Sequence, residues 1–152
     1  MVTISLCMIV RNEEAVLERC LCSVCKAVDE IILVDTGSED RTKEIARSYT
    51  DRIYDFAWSD DFAAARNFSF SKATMDYCMW MDADDVLLEA DTKALLELKE
   101  TLDPSVQVVM LPYHIAFDAQ GKPTFSYYRE RLIRNGQGMR WEGAVHEVIT
   151  PV

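Results

Sequence analysis

Short apolar segments alternate with helical patterns over the first two thirds of the chain, and this alternation restricts the possible folds more than any other feature. The predicted strands are Thr3–Val10, Glu30–Asp35, Arg52–Phe56 and Tyr77–Asp82. The first two are apolar enough to be buried on both faces, as strands of a parallel sheet are. Strands that alternate with helices of 10–15 residues favour a parallel sheet with right-handed crossovers. The sequence therefore predicts an α/β fold.

Helices are predicted from periodicity and from residues that cap helix ends. The first begins at Arg11, with Asn12 as its N-cap, and runs to about Val28. Ser38 can cap a second helix that runs to about Tyr49. Two further helices are predicted over Asp60–Ala73 and Asp91–Leu102.

The pattern changes after Val106, where β-forming residues replace the helical periodicity. Val106–Phe117 and Thr124–Arg134 flank a cluster of turn residues, which indicates an antiparallel hairpin. Met139–Ile149 is predicted as one further extended segment. The predicted architecture is a mostly parallel, Rossmann-like sheet flanked by helices, with a C-terminal antiparallel β extension.

Composition and charge exclude several classes of function. The chain has 152 residues, of which 49% are hydrophobic and 28% are charged, so it is one folded domain or a piece of a larger one. Sixteen basic residues against 26 acidic ones give a net charge of −10, which argues against nucleic acid as a partner. The same field repels an anionic substrate unless a local cation reverses it.

Cysteine usage and hydropathy bear on the compartment. Five cysteines form an odd set without the spacing of a secreted scaffold, so we expect free thiols and a cytoplasmic location. The chain has no run of 18 apolar residues, so no transmembrane segment is predicted. Peripheral association with the inner face of a membrane stays open.

Acidic side chains crowd the end of the fourth predicted strand, in the segment Asp82-Ala83-Asp84-Asp85. In open α/β sheets, ligands bind at the carboxyl edge of the strands. Carboxylate oxygens suit Mg²⁺ or Mn²⁺, and such an ion would let this acidic chain accept a diphosphate. The alternative is a solvated acidic turn that caps a helix.

Asp35 ends another predicted strand, in Val34-Asp35-Thr36-Gly37-Ser38. A carboxylate at this place can accept a hydrogen bond from N3 of uracil or from a ribose hydroxyl. The alternative is that Asp35 and Ser38 only shape a turn and cap a helix. Neither a dinucleotide-binding glycine fingerprint nor a P-loop is present.

Two further segments carry candidate chemistry. Arg66, in the third predicted helix, offers a donor fork that suits a phosphate or a base carbonyl, although it could instead pair with Asp60 or Asp61 on the surface. His146 and Glu147 are adjacent, so on a strand they would point to opposite faces and have different roles. The histidine could complete a metal site, relay a proton as a catalytic residue, or be structural, and the glutamate could be a general base.

In this order, the segments resemble the family 2 glycosyltransferases, which have the GT-A fold. The resemblance rests on five motifs and covers nearly the whole chain: Met8-Ile9-Val10-Arg11-Asn12-Glu13-Glu14, Val34-Asp35-Thr36-Gly37-Ser38-Glu39-Asp40-Arg41-Thr42, Asp61-Phe62-Ala63-Ala64-Ala65-Arg66-Asn67, Asp82-Ala83-Asp84-Asp85 and Trp141-Glu142-Gly143-Ala144-Val145-His146-Glu147. The last motif is similar to the subgroup that is often fused to tetratricopeptide repeats.

The resemblance implies an inverting transfer of a sugar from a nucleotide diphosphate donor, usually a UDP-sugar, with Mn²⁺ or Mg²⁺ as cofactor. By resemblance, Asn12 and Glu13 line the nucleoside pocket, Asp35 binds uracil, and Arg66 reaches the base or the phosphates. These four residues and Asp82 form the expected nucleotide site.

The implied metal and catalytic residues lie later in the chain. Asp84 holds the metal, Asp82 touches the ribose or the metal, and His146 is a possible third ligand. Glu147 is the candidate base, although the acidic pair in which the family's base usually lies has no counterpart after Asp103.

The resemblance also implies a division of the chain into parts. We expect residues 1–152 to form one catalytic domain that stops short of its C-terminal part. Within it, 1–105 is the nucleotide-sugar-binding half and 106–152 begins the acceptor half. The sequence leaves the acceptor open among a saccharide, a lipid-linked molecule and a protein, and it leaves the oligomeric state open as well.

Two alternative functions remain at this point. A nucleotidyltransferase of similar architecture would normally carry a glycine-rich basic loop after the first strand, where this chain has Arg11-Asn12-Glu13-Glu14. A non-catalytic nucleotide-sugar-binding module is the other alternative. The presence of Asp35, Arg66, Asp82 and Asp84 argues against a degenerate site.

Overall fold

The computed structural model describes residues 1–144 and 147–151, which form eight strands and four helices. In chain order these are β1 (Ile4–Val10), α1 (Leu17–Val24), β2 (Glu30–Asp35), α2 (Thr42–Arg47), β3 (Ile53–Asp55), α3 (Phe62–Ser71), β4 (Tyr77–Trp80), α4 (Glu89–Thr101), β5 (Val108–Phe117), β6 (Pro123–Arg134), β7 (Met139–Glu142) and β8 (Val148–Pro151). The predicted order of elements is confirmed from β1 to β6.

Six strands form one mixed sheet in the order β3-β2-β1-β4-β6-β5. The first four are mutually parallel, whereas β6 runs antiparallel to β4 and β5 runs antiparallel to β6. The predicted α/β class and antiparallel extension are confirmed. The hairpin is part of the main sheet rather than an appendage, because β6 lies next to the central strand β4.

Both faces of the sheet are covered, as the apolar strands require. Side chains of α1, α2 and α4 pack on one face with Leu6, Met8, Leu33 and Met79. The opposite face carries Cys7, Ile32 and Cys78, and Trp80 packs with Ala63 of α3 and Trp141 of β7.

All five cysteines are free, as expected. Among the described residues, no helix combines the length and apolarity that crossing a bilayer requires.

The predicted caps of the first two helices are wrong. Asn12 has a positive φ of 51°, and α1 begins only at Leu17. Ser38 lies four residues before α2, and its hydroxyl accepts a hydrogen bond from the backbone N–H of Asn12 instead. Both side chains join neighbouring loops, because the ends of β1 and β2 lie side by side at the sheet edge.

The last predicted segment, Met139–Ile149, is not one strand. It contains β7 and β8, which pair antiparallel as a separate two-stranded sheet. Glu147 lies between these strands, so the expectation that adjacent residues point to opposite faces of a strand does not apply to it. His146 lies outside the described residues.

Candidate functional site

The carboxyl edge of the parallel strands brings together loops that are distant in sequence. The backbone N–H of Asn12, after β1, donates to Ser38 Oγ at 2.9 Å, and Asn12 Oδ1 accepts from the N–H of Glu39 at 2.7 Å. The N–H of Glu13 donates to Thr42 Oγ1 at 2.8 Å. These bonds tie the loop after β1 to the loop after β2.

Asp35 ends β2 and is almost completely buried. Its Oδ1 accepts from the backbone N–H groups of Gly37 at 2.9 Å and Ser38 at 2.8 Å. Gly37 has a φ of 118°, a conformation that side chains rarely allow, so glycine permits this turn. Asp35 Oδ2 is buried and has no hydrogen-bond partner among the described residues, so this oxygen can accept a further donor.

The acidic turn starts just beyond β4, which ends at Trp80 rather than at the predicted Asp82. Asp82, Asp84 and Asp85 each offer a carboxylate oxygen, and these oxygens lie within 4.8 Å of one another. The turn closes on itself, because the N–H of Asp85 donates to the carbonyl of Asp82 at 3.0 Å. The predicted convergence of carboxylates at the strand end is therefore present.

Arg66 is buried, with 7% of its side chain exposed, and the alternative of a surface pair with Asp60 or Asp61 does not form. Its Nε donates to Glu147 Oε1 at 2.6 Å, and one terminal nitrogen donates to Asp82 Oδ1 at 3.2 Å. The guanidinium also lies 4.5 Å from the ring centre of Trp80. Arg66 thus joins Glu147 to the acidic turn.

The charges of the site alter the pKa values of two carboxyl groups. Burial by itself would raise the pKa of Glu147, but the hydrogen bond and charge of Arg66 hold it below its usual range. The pKa of Glu13 is raised by burial and then by the charges of Asp84 and Asp82. The negative field of the acidic turn therefore reaches Glu13, and such a field favours a cation.

Sequence reasoning missed Arg131 of β6, which is 7% exposed. One of its terminal nitrogens donates to Asp85 Oδ2 and to the carbonyl of Trp80, both at 3.1 Å. The sequence did contain a signal for it, because Arg129 and Arg131 are two residues apart in a predicted strand and therefore lie on the same face. Both guanidinium groups lie over the Trp80 ring.

A cavity of about 560 Å³ adjoins the acidic turn, between α4 and the β5–β6 hairpin. Asp84 and Asp85 line it at the acidic turn, and most of its remaining wall is apolar, including Met81, Leu95 and Leu111. Its volume is within the range of small-molecule sites.

Three findings relate this chain to known proteins. A family model described as Glycosyl transferase family 2 matches residues 5–150. A TPR repeat-containing protein of Synechococcus elongatus is 39% identical over 98% of this chain and 36% of its own length. The lipopolysaccharide core biosynthesis glycosyltransferase LpsC of Rhizobium meliloti is 32% identical over 92% of this chain and 54% of its own length.

A solved structure is similar as well. Glucosyl-3-phosphoglycerate synthase of Mycobacterium tuberculosis, crystallised in complex with UDP, is 26% identical with a TM-score of 0.50. The match covers 56% of this chain and 35% of that one. Against all three proteins, the chain spans between about a third and just over half of their length.

Proposed function

The chain belongs to glycosyl transferase family 2, and from this premise we propose that it transfers a sugar from a nucleotide diphosphate donor to an acceptor hydroxyl. We propose a UDP-sugar as the donor and inversion at the anomeric carbon as the stereochemical course. The observation that carries the proposal is the contact of Arg66 with both Asp82 and Glu147, which unites a predicted donor site and a predicted base.

The donor base is assigned to the pocket of Asp35. The unpartnered Oδ2 of this carboxylate can accept the N3–H of uracil, while Oδ1 keeps its two backbone donors. Asn12 and Glu13 lie on the loop that is bonded to the loop after Asp35, so they are assigned to the nucleoside pocket. The similar synthase that was crystallised with UDP supports this assignment.

Asp84 and Asp82 are proposed to hold Mn²⁺ or Mg²⁺. The residues fit such an ion, because their oxygens converge within 4.8 Å and hard carboxylate oxygens are its preferred ligands. When bound, a divalent ion stabilises the charge that develops on the diphosphate leaving group. Arg66 presents its guanidinium to Asp82 at the same place. The assignment of His146 as a third ligand remains a prediction.

Glu147 is proposed as the base that takes the proton of the acceptor hydroxyl as its oxygen attacks the anomeric carbon. It is ionised at neutral pH, as an ordinary glutamate is, so the contribution of Arg66 is to fix its orientation.

Titration calorimetry with UDP, with and without Mn²⁺, tests the proposal. We expect UDP to bind at least tenfold more tightly with Mn²⁺, and Asp84→Asn to abolish this difference. Glu100→Gln, an exposed change in α4 that removes the same charge, should keep it. Equal affinity with and without the metal would contradict the metal site.

The same measurement with nucleoside triphosphates separates the alternative functions. A glycosyltransferase should show no preference for UTP over UDP, whereas a nucleotidyltransferase should prefer the triphosphate. Metal-dependent release of free sugar from UDP-sugars then distinguishes an enzyme from a binding module.

A further inference from the structure

Asp85 differs from its two acidic neighbours because its carboxylate is buried together with the cation that neutralises it, whereas Asp82, which pairs with Arg66, stays half-exposed. The ion pair between Arg131 and Asp85 joins side chains that are each 8% exposed. Arg131 comes from β6, 46 residues away, and its guanidinium lies 3.9 Å from the ring centre of Trp80. Arg131 is therefore held on several sides.

Asp85 also has a structural task in the acidic turn. The Oδ2 atom that accepts from Arg131 accepts from the backbone N–H of Asp82 as well, at 2.9 Å. This oxygen is thus used by two donors. Asp84 is exposed and Asp82 is half-exposed, with 49% of its side chain accessible.

We propose that Arg131 is a positioning residue which holds Asp85 as its counter-ion and so restricts the metal ligands of the acidic turn to Asp82 and Asp84. The inference rests on the proposed function only in taking this turn as the cation site. Two carboxylate ligands leave coordination positions of a divalent ion to diphosphate oxygens. A third carboxylate would hold the ion more tightly and weaken its pull on the leaving group.

The first test is the affinity of the chain for Mn²⁺ alone, measured by the paramagnetic resonance signal of the free ion. Arg131→Met should bind Mn²⁺ about tenfold more tightly, because the change removes a positive charge and releases Asp85 as a third ligand. A loss of packing alone does not increase metal affinity. Unchanged or weaker binding would overturn the proposal.

The second test is the double variant Arg131→Met with Asp85→Asn, which removes both charges of the pair and leaves the net charge of the site unchanged. The amide oxygen of the asparagine can still accept from the N–H of Asp82. We expect its Mn²⁺ affinity to stay within about threefold of that of the native chain, because a carboxylate that is not a metal ligand can be removed with little effect on metal binding. A tenfold loss, comparable to that of Asp84→Asn, would make Asp85 a ligand and overturn the proposal.

A matched control exists at the opposite edge of the sheet. Lys99 is 6% exposed and pairs with Asp29 at 2.8 Å, and Asp29 Oδ2 also accepts from the backbone N–H of Ile4. Lys99→Met should lower the melting temperature as Arg131→Met does, but it should leave Mn²⁺ affinity unchanged. An equal gain in Mn²⁺ affinity in both variants would assign the effect to global charge and overturn the proposal.

The failure of the inference and the failure of the proposed function are distinguishable. Suppose that the Mn²⁺ affinities of the variants follow the expected order but the chain does not bind UDP. This result would contradict the assignment of a UDP-sugar donor and would leave the role of Arg131 intact. A chain that binds UDP but no Mn²⁺ would contradict both the metal site and the inference.

Discussion

Arg66 shows how one side chain can organise a site. A guanidinium has donors in a fixed planar arrangement, and here the Nε and one terminal nitrogen reach two different carboxylates. The residue type and its place in a helix could be predicted from the sequence. Its partner Glu147 could not, because it lies 81 residues away and becomes a neighbour only when β7 packs against α3.

Asp35→Asn tests the base pocket at this scale. The amide oxygen can still accept from Gly37 and Ser38, while the amide nitrogen replaces Oδ2 and cannot accept the N3–H of uracil. We expect the preference for UDP over CDP to fall about tenfold to a hundredfold, as for a lost bond to a charged group. Calorimetry with both nucleotides measures it, and full retention of the preference would place the base elsewhere.

Glu147→Gln tests the proposed base. Glutamine can still accept from Arg66 Nε but cannot take a proton, so sugar transfer should fall by roughly 100-fold or more while UDP affinity changes little. Initial rates with a responsive UDP-sugar, alongside calorimetry with UDP, measure the two effects. Unchanged transfer would assign the base to another residue.

At the scale of elements, α3 and β7 hold the two parts of the site together. Asn67 of α3 bonds both backbone groups of Trp141 in β7, donating to its carbonyl at 2.9 Å and accepting from its N–H at 2.8 Å. The Phe62 N–H donates to the Ala144 carbonyl at 3.0 Å. The side chain of Asn67 thus forms hydrogen bonds with β7 much as a neighbouring strand would. It holds β7 in place, and Glu147 comes shortly after β7 in the sequence.

Asn67→Ala should therefore loosen the β7–β8 sheet. The change leaves two backbone groups of the buried Trp141 without a partner, which costs about 1–3 kcal/mol. Amide hydrogen exchange should become faster in 139–142 and 148–150 than in β1. Ser71→Ala, an exposed position at the end of α3, is the control, and equal exchange in both variants would contradict the role of Asn67.

At the scale of the whole molecule, the carboxylates determine how stability responds to acid. The GT-A architecture implied by the resemblance is confirmed, and its sheet gathers carboxylates at both edges. Burial would raise the pKa of Glu30, but hydrogen bonds from Ser5 and Thr74 and the charge of Arg52 lower it. Hydrogen bonds from Thr3 likewise hold the pKa of Asp76 below its usual range.

The sign of the pH dependence follows from these directions. A carboxyl group whose folded pKa is lowered stabilises the fold above its unfolded pKa, and this stabilisation is lost as pH falls through the folded value. We expect the urea concentration at the midpoint of unfolding to decrease as the pH falls below about 4.5. The decrease should be less steep in Glu30→Gln, because this variant lacks one of the carboxyl groups with a lowered pKa. The raised pKa of Glu13 has the opposite effect on stability. Its contribution to the free energy of unfolding is present at low pH and is lost as the pH rises. A midpoint that does not change between pH 5 and pH 3 would contradict the prediction.

The order of the elements from β1 to β6, the span of β2 and the acidic turn after β4 could be predicted from the sequence alone, because apolar periodicity and strand ends are local properties of the chain. Which of these groups come into contact depends on the folded chain. Asn12 and Ser38 join two loops instead of capping helices, and Asp85 pairs with an arginine of a distant strand. A side chain forms hydrogen bonds with the polar groups within its reach, and the packing of the sheet, not the local sequence, decides which groups those are.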